Sequence, residues 1–229
     1  MSSFNQIIRD ALLTYLLEEH DIVADPNDLN SLIMQAADAY LEDPPVARHP
    51  GYIAGRWYAG YPLATTSTSA LPAIDTIYFT PVLITKLFSF DQIKVNCITG
   101  AAGAILKVGL WNMDEATKKP IGAPIVADNT GLDCSVSATQ PQVALSATLA
   151  PGRYWFGTKS GHLPAIQSFL SSNATGSWEF GRSNGASSTQ CLGLSTPSAV
   201  GDAMPTLTGA ETFTDITVSG APLGWFRST

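Results

Sequence analysis

Leu149-Ala150-Pro151-Gly152-Arg153-Tyr154-Trp155-Phe156-Gly157 is the stretch whose reading decides the fold. Pro151-Gly152 has the make-up of the central pair of a tight turn, with Pro fixing φ and Gly supplying the positive φ that follows. Before it, Val143, Leu145, Ala147 and Leu149 alternate with polar or small neighbours. After it, Tyr154-Trp155-Phe156 is aromatic and strand-favouring, and Gly157 ends the run. The stretch reads as a hairpin corner inside a β-domain.

Similar runs lie on both sides. Residues 76–80, 82–87, 91–98, 104–112, 124–127, 131–137, 142–149 and 152–159 are β-branched or aromatic segments divided by Gly, Pro, Asn and Asp. Shorter candidates follow at 178–180, 213–218 and 223–226, between loops rich in Gly, Ser and Ala. Closely spaced strands with no helical period between them predict two antiparallel sheets face to face, and eight main strands favour a jelly-roll-like β-sandwich over residues 71–229.

The N-terminal residues differ in kind. Ser3 with Gln6 forms a capping-box pattern, and Phe4, Ile7, Ile8, Ala11, Leu12, Tyr15 and Leu16 recur at helical spacing. Asp25-Pro26 offers a second helix start, followed by Leu29, Leu32, Ile33, Ala36, Ala37, Tyr40 and Leu41, and Pro44-Pro45 stops it. Residues 1–45 hold nine acids against one base, Arg9, whereas the rest of the chain holds ten acids against eleven bases. The expected organisation is therefore a two-helix anchoring segment at 1–45, a linker at 46–70 and the sandwich at 71–229. The linker carries Arg56-Trp57-Tyr58-Ala59-Gly60-Tyr61-Pro62 and Thr65-Thr66-Ser67-Thr68-Ser69, too aromatic for a free tether. Two amphipathic helices cannot cover their own apolar stripes, so residues 4–42 are expected to pack on a partner, with a homo-oligomer favoured.

Composition narrows the function. With no Lys/Arg cluster longer than Lys118-Lys119, the chain lacks the electrostatic footprint of a nucleic-acid binder. No run of eighteen apolar residues exists to span a membrane, and the first residues lack the basic-then-apolar order of a signal peptide. Cys97, Cys134 and Cys191 are odd in number and widely spaced, which predicts buried thiols and not a disulfide framework or a zinc site. His20, His49 and His162 accompany no nucleophile elbow or metal-binding pair, and Asp114-Glu115, Glu179 and Asp202 read as solvated turn residues. No catalytic residue, metal or cofactor is predicted.

Several patterns occur together in one order: Arg56-Trp57-Tyr58, Tyr78-Phe79-Thr80-Pro81, Val108-Gly109-Leu110-Trp111-Asn112 and the Leu149 to Phe156 stretch. Together they resemble a domain recurrent in tailed-bacteriophage tail fibres, minor tail proteins and head spikes, over roughly residues 56–169. The resemblance implies a jelly-roll-like sandwich similar to carbohydrate-binding modules, displayed on virions and often trimeric. It transfers no sugar-binding residue.

Candidate binding residues come instead from aromatic chemistry, since flat apolar sugar faces stack on exposed indoles while hydroxyls need amides and charges nearby. Trp57, Tyr58, Tyr61, Trp111, Trp155, Trp178 and Trp225 are the set, with Trp111 and Trp155 expected in the core. Trp178 stands out because polar loop residues bracket it, and Asn173, Arg182 and Asn184 join it as the expected ligand-binding group. The resulting expectation is a virion structural protein, fibre- or spike-like, that meets host-surface glycans. A carbohydrate-binding module without a virion role is the alternative, and a polysaccharide-degrading enzyme is the third reading.

Overall fold

The computed structural model describes residues 51–60, 66–169, 192–216 and 221–229. The expected helices, the strand at 178–180 and the loop group Asn173, Trp178, Arg182 and Asn184 lie outside the described residues.

The described residues form strands β1 (Trp57–Ala59), β2 (Thr66–Ala70), β3 (Thr76–Ile84), β4 (Phe88–Lys94), β5 (Cys97–Thr99), β6 (Ile105–Met113), β7 (Pro120–Asp133), β8 (Gln142–Leu149), β9 (Gly152–Ser160), β10 (Ala165–Phe169), β11 (Gly193–Pro197), β12 (Thr214–Ile216) and β13 (Trp225–Ser228). Their pairings are antiparallel. A six-stranded sheet runs in the order β12-β11-β3-β9-β6-β7, a four-stranded sheet β1-β13-β4-β8 and a three-stranded sheet β2-β10-β5. The smaller two are stitched together at Gln167, whose N–H donates to Asn96 O and whose carbonyl accepts from Leu223 N, both at 2.9 Å.

The inner faces meet in one apolar core. Alternation along each strand supplies it: Tyr78, Val82 and Ile84 from β3, Leu106, Val108 and Leu110 from β6, and Phe156 from β9 face Phe88, Phe90 and Ile93 of β4 and Phe226 of β13. The sandwich-like arrangement and its antiparallel character agree with the sequence reading.

The corner at Pro151-Gly152 does not. β8 pairs with β4 in the four-stranded sheet, whereas β9 lies between β3 and β6 in the six-stranded one. The two flanking strands are not hairpin partners; the chain crosses from one layer to the other at Ala150-Pro151. Gly152 is already a strand residue opposite Ile84 and is not among the glycines with positive φ. The crossing is pinned by Tyr154, whose hydroxyl donates to Ala150 O at 2.9 Å. A turn signal reports where the chain reverses, not which sheet each arm joins.

The linker reading needs a similar correction. Trp57–Ala59 pairs with β13 and Thr66–Ala70 with β10, so the described parts of 46–70 are sheet. Pro81 is tolerated within β3 because Leu83 N, two residues on and so on the same edge, donates to Gly60 O and not to β9. The edge where Pro81 lacks its donor lies beyond the end of β11, whose pairing stops at Phe79.

The six-stranded sheet is also buried on its outer face, where Ile77, Phe79, Trp111, Met113, Trp155 and Leu194 form a second core under Met204 and Leu207. Gly109 and Gly157 are direct cross-strand partners, and the Trp111 ring lies across both. A Cβ on Gly157 would stand 2.5 Å from Trp111 Cζ3, and one on Gly109 2.8 Å from it. Two lysines tie down the segment above. Lys159 Nζ donates to Ser198 Oγ, Ala199 O and Ala203 O at 3.1, 2.9 and 3.1 Å, spending all three of its donors. Lys107 Nζ reaches Val200 O and Asp202 O, each at 2.8 Å. Trp111 Nε1 donates to Pro205 O at 3.2 Å, which completes the seal.

Candidate ligand-binding face

The outer face of the four-stranded sheet is partly exposed, from half-buried Trp57, Lys94 and Trp225 to exposed Gln142 and Ala144, and among the described residues no segment is laid over it. Register sets its residues in two rows. Trp57, Arg227, Gln92 and Ala144 lie abreast on β1, β13, β4 and β8, and Ala59, Trp225, Lys94 and Gln142 lie abreast in the next row. Their neighbours Tyr58, Phe226, Ile93 and Val143 turn inward to the core, and Ala59 and Trp225 also pack against that core while staying partly exposed.

Two half-buried indoles dominate the face. Lys94 Nζ stands over the Trp57 ring, 4.5 Å from its centroid, and 5.9 Å from the centroid of Trp225. The ammonium donates to Gln140 Oε1 at 2.9 Å, and partial burial holds the Lys94 pKa below its ordinary value. Trp225 is oriented by its Nε1–H, which donates to Gln167 Oε1 at 3.2 Å, an oxygen that also accepts from Asn96 Nδ2. Arg227 makes a bidentate pair with Asp91, Nε to Oδ1 at 2.8 Å and Nη2 to Oδ2 at 2.6 Å. Donation by Arg227 is the main reason the Asp91 carboxyl sits below the usual carboxylate range. Gln92 Oε1 and Asn96 Oδ1 are buried beneath the face and have no hydrogen-bond partner among the described residues.

Chemically this is an amphipathic platform: rigid aromatic faces flanked by amides and one ammonium that has no carboxylate partner among the described residues. It can stack a flat apolar surface and bond hydroxyl or acidic groups around its edge.

A depression of about 370 Å³ between β3, β11 and β12 is a weaker candidate. Three of its hydroxyls are already spent on the chain: Tyr78 Oη donates to Ala73 O and accepts from Ala73 N, Ser195 Oγ donates to Thr214 O, and Thr196 Oγ1 donates to Thr212 O.

The carboxylates singled out in the sequence serve local geometry. Asp114 Oδ1 accepts from Thr117 N and Thr117 Oγ1, and Glu115 pairs with Lys118. These bonds hold both acids below their ordinary pKa values, the opposite of what a general acid needs. Asp202 contributes its backbone carbonyl to Lys107, and Glu179 lies outside the described residues. Among the described residues no group of three or more His, Cys, Asp or Glu could hold a metal ion.

Of the aromatic set, Trp111 and Trp155 are fully buried, as expected. Trp57 and Trp225, far apart in sequence, come together on the partly exposed face, whereas Trp178 cannot be placed among the described residues. Lys94, Gln140, Asn96 and Gln167 were missed because no local pattern marks them; they converge only through strand pairing.

No family model and no curated protein matches the sequence. A solved structure to which the chain is similar is the carbohydrate-binding module CBM6cm-2 from Cellvibrio mixtus lichenase 5A in complex with cellotriose, at 16% identity over 50% of this chain and 96% of that one, with a TM-score of 0.23.

Proposed function

We propose that this chain is a non-catalytic glycan-binding protein whose Trp57–Trp225 face holds the sugar. One observation carries the reading: two half-buried indoles bracket a single ammonium on the partly exposed face of a sheet, with the amides of Gln140, Asn96 and Gln167 beside them. Rings set on strands are held more rigidly than rings on loops, which suits stacking against a ligand that is itself stiff. The face is shallow and wet, so each site binds weakly and firm attachment needs several copies.

The setting we propose is a bacteriophage particle, with the jelly-roll-like sandwich displayed in a fibre- or spike-like protein. Residues 4–42 would hold it as a trimer and join it to other virion proteins. This part rests on the sequence patterns between Arg56 and Phe156 and on the two apolar stripes of the N-terminal residues. The polar loop with Asn173, Trp178, Arg182 and Asn184 is the second place where sugar contact is proposed.

The test is a glycan array probed with the full chain and with Trp57→Ala/Trp225→Ala and Trp178→Ala variants. Loss of signal in the double variant, with the β-sheet circular dichroism and cooperative unfolding retained, is the expected result. Retained signal there, with loss in Trp178→Ala, moves the site to the loop. Co-purification with phage particles in multiples of three copies tests the setting separately.

A further inference from the structure

Two of the three thiols, 37 positions apart in sequence, are brought into contact in the interior. Cys97 opens β5 and pairs with Thr139, while Cys134 follows β7, its N–H donating to Ala104 O and its carbonyl accepting from Ala101 N. Both side chains are fully buried. The Cys97 thiol donates to Cys134 O at 3.6 Å, and the two thiols also interact side chain to side chain. Thr139 and Ala101–Ala104 hold the two backbones from either side, so the pair is set by sheet and turn hydrogen bonds and not by loose side-chain chance.

We propose that Cys97 and Cys134 are a modification site: they join as an intramolecular disulfide when the protein meets a low-molecular-weight disulfide oxidant. The thiolate of one cysteine attacks the oxidant, forming a mixed disulfide and releasing one thiol. The second cysteine attacks that mixed disulfide, forming the Cys97–Cys134 bond and releasing the second thiol. Two cysteine thiols are oxidised by two electrons, and the oxidant is reduced to two thiols.

Access sets the rate. Burial raises both thiols, Cys134 to about 12, so little thiolate exists in the closed protein at neutral pH. The reaction therefore runs through opening of the 100–104 and 134–139 turns, and speeds up in alkali or mild denaturant. A protein that folds under reducing conditions and later meets an oxidant would close this bond after folding. The cross-link closes a long loop between β5 and the end of β7 and raises stability accordingly.

The test uses the full chain carrying Cys191→Ser, incubated with oxidised glutathione at alkaline pH in mild denaturant, then returned to buffer and digested without reduction. The expected product is a peptide pair linking Cys97 to Cys134, two hydrogens lighter than the sum of its parts. The unfolding midpoint should rise by roughly 5–15 °C, an increase that dithiothreitol reverses and a Cys97→Ser/Cys134→Ser variant lacks. Stable glutathione adducts on either cysteine, a disulfide-linked dimer, or quantitative alkylation of both thiols after oxidation would overturn the proposal.

Discussion

Trp111 and Trp155 on one sheet, and Trp57 and Trp225 on another, are the same residue type on strand faces turned away from the main core, yet their surroundings are opposite. Trp111 lies in a cradle of two glycines under a segment fastened by two lysines, and Trp155 is sealed with it. Among the described residues, Trp57 and Trp225 carry Lys94 and side-chain amides above the sheet. The difference teaches that an indole's role is decided by what the chain lays over it. Residues 198–207 turn one face into core, while among the described residues no comparable segment is laid over the other.

The comparison breaks first at Trp111. Replacing it with Ala should cost about 3–5 kcal/mol, because a large fully buried ring is removed and its cavity cannot collapse onto two glycines. Trp57→Ala should cost less, about 1–2 kcal/mol, because its ring is only half-buried and loses Lys94 above it. Chemical denaturation of both variants measures the gap, and equal costs would erase the distinction between the faces.

Gly157→Ala asks whether the cradle is as tight as the geometry indicates. The new methyl meets the Trp111 ring, which the Pro205 carbonyl and Phe79 hold in place, so about 1–3 kcal/mol or more should be lost. Gly157→Ala combined with Trp111→Ala should cost less than the sum of the two changes, since the tightest clash goes with the indole and only the closer fit to Phe79 remains.

Lys159→Met sharpens the comparison at the seal. The methylenes are retained, but the Ala199 and Ala203 carbonyls lose their donor, for about 1–3 kcal/mol. Hydrogen exchange should quicken in residues 198–207 and stay unchanged in β1 and β13.

The smallest effect belongs to the partly exposed face. Asp91 has its pKa lowered by Arg227, so its contribution to stability is complete above the ordinary carboxylate pKa and disappears as pH falls through the lower folded value. Asp91→Asn should flatten that acid-side loss slightly and leave neutral-pH unfolding almost unaltered. A large change at pH 7 would mean the Arg227 pair props the sheet and does not merely dress its surface.

Much of this was legible in the chain. Alternation marked Val143, Leu145, Ala147 and Leu149, the residues of β8 that pack in or against the core. The Gly109/Trp111 and Trp155/Gly157 patterns lay in the stretches that looked distinctive, although their spatial reason, one indole over two facing glycines, appears only with strand register. The layer crossing at Ala150-Pro151 was hidden because turn chemistry is local and sheet membership is not. Residues 57–59 resembled a linker because their partner, β13, is at the far end of the sequence. The partly exposed face was half visible: its two indoles carry a compositional signal, but Lys94, Gln140 and Gln167 are ordinary polar residues until strand pairing brings them together.

The most direct test of glycan binding at the partly exposed face follows the five indole N–H signals of the ¹⁵N-labelled full chain while acidic and neutral oligosaccharides are added. The account predicts that the Trp57 and Trp225 signals shift together and saturate at one concentration, while Trp111 and Trp155 stay still. Shifts confined to Trp178, or no indole shift with any oligosaccharide that the chain retains on an array, would contradict it.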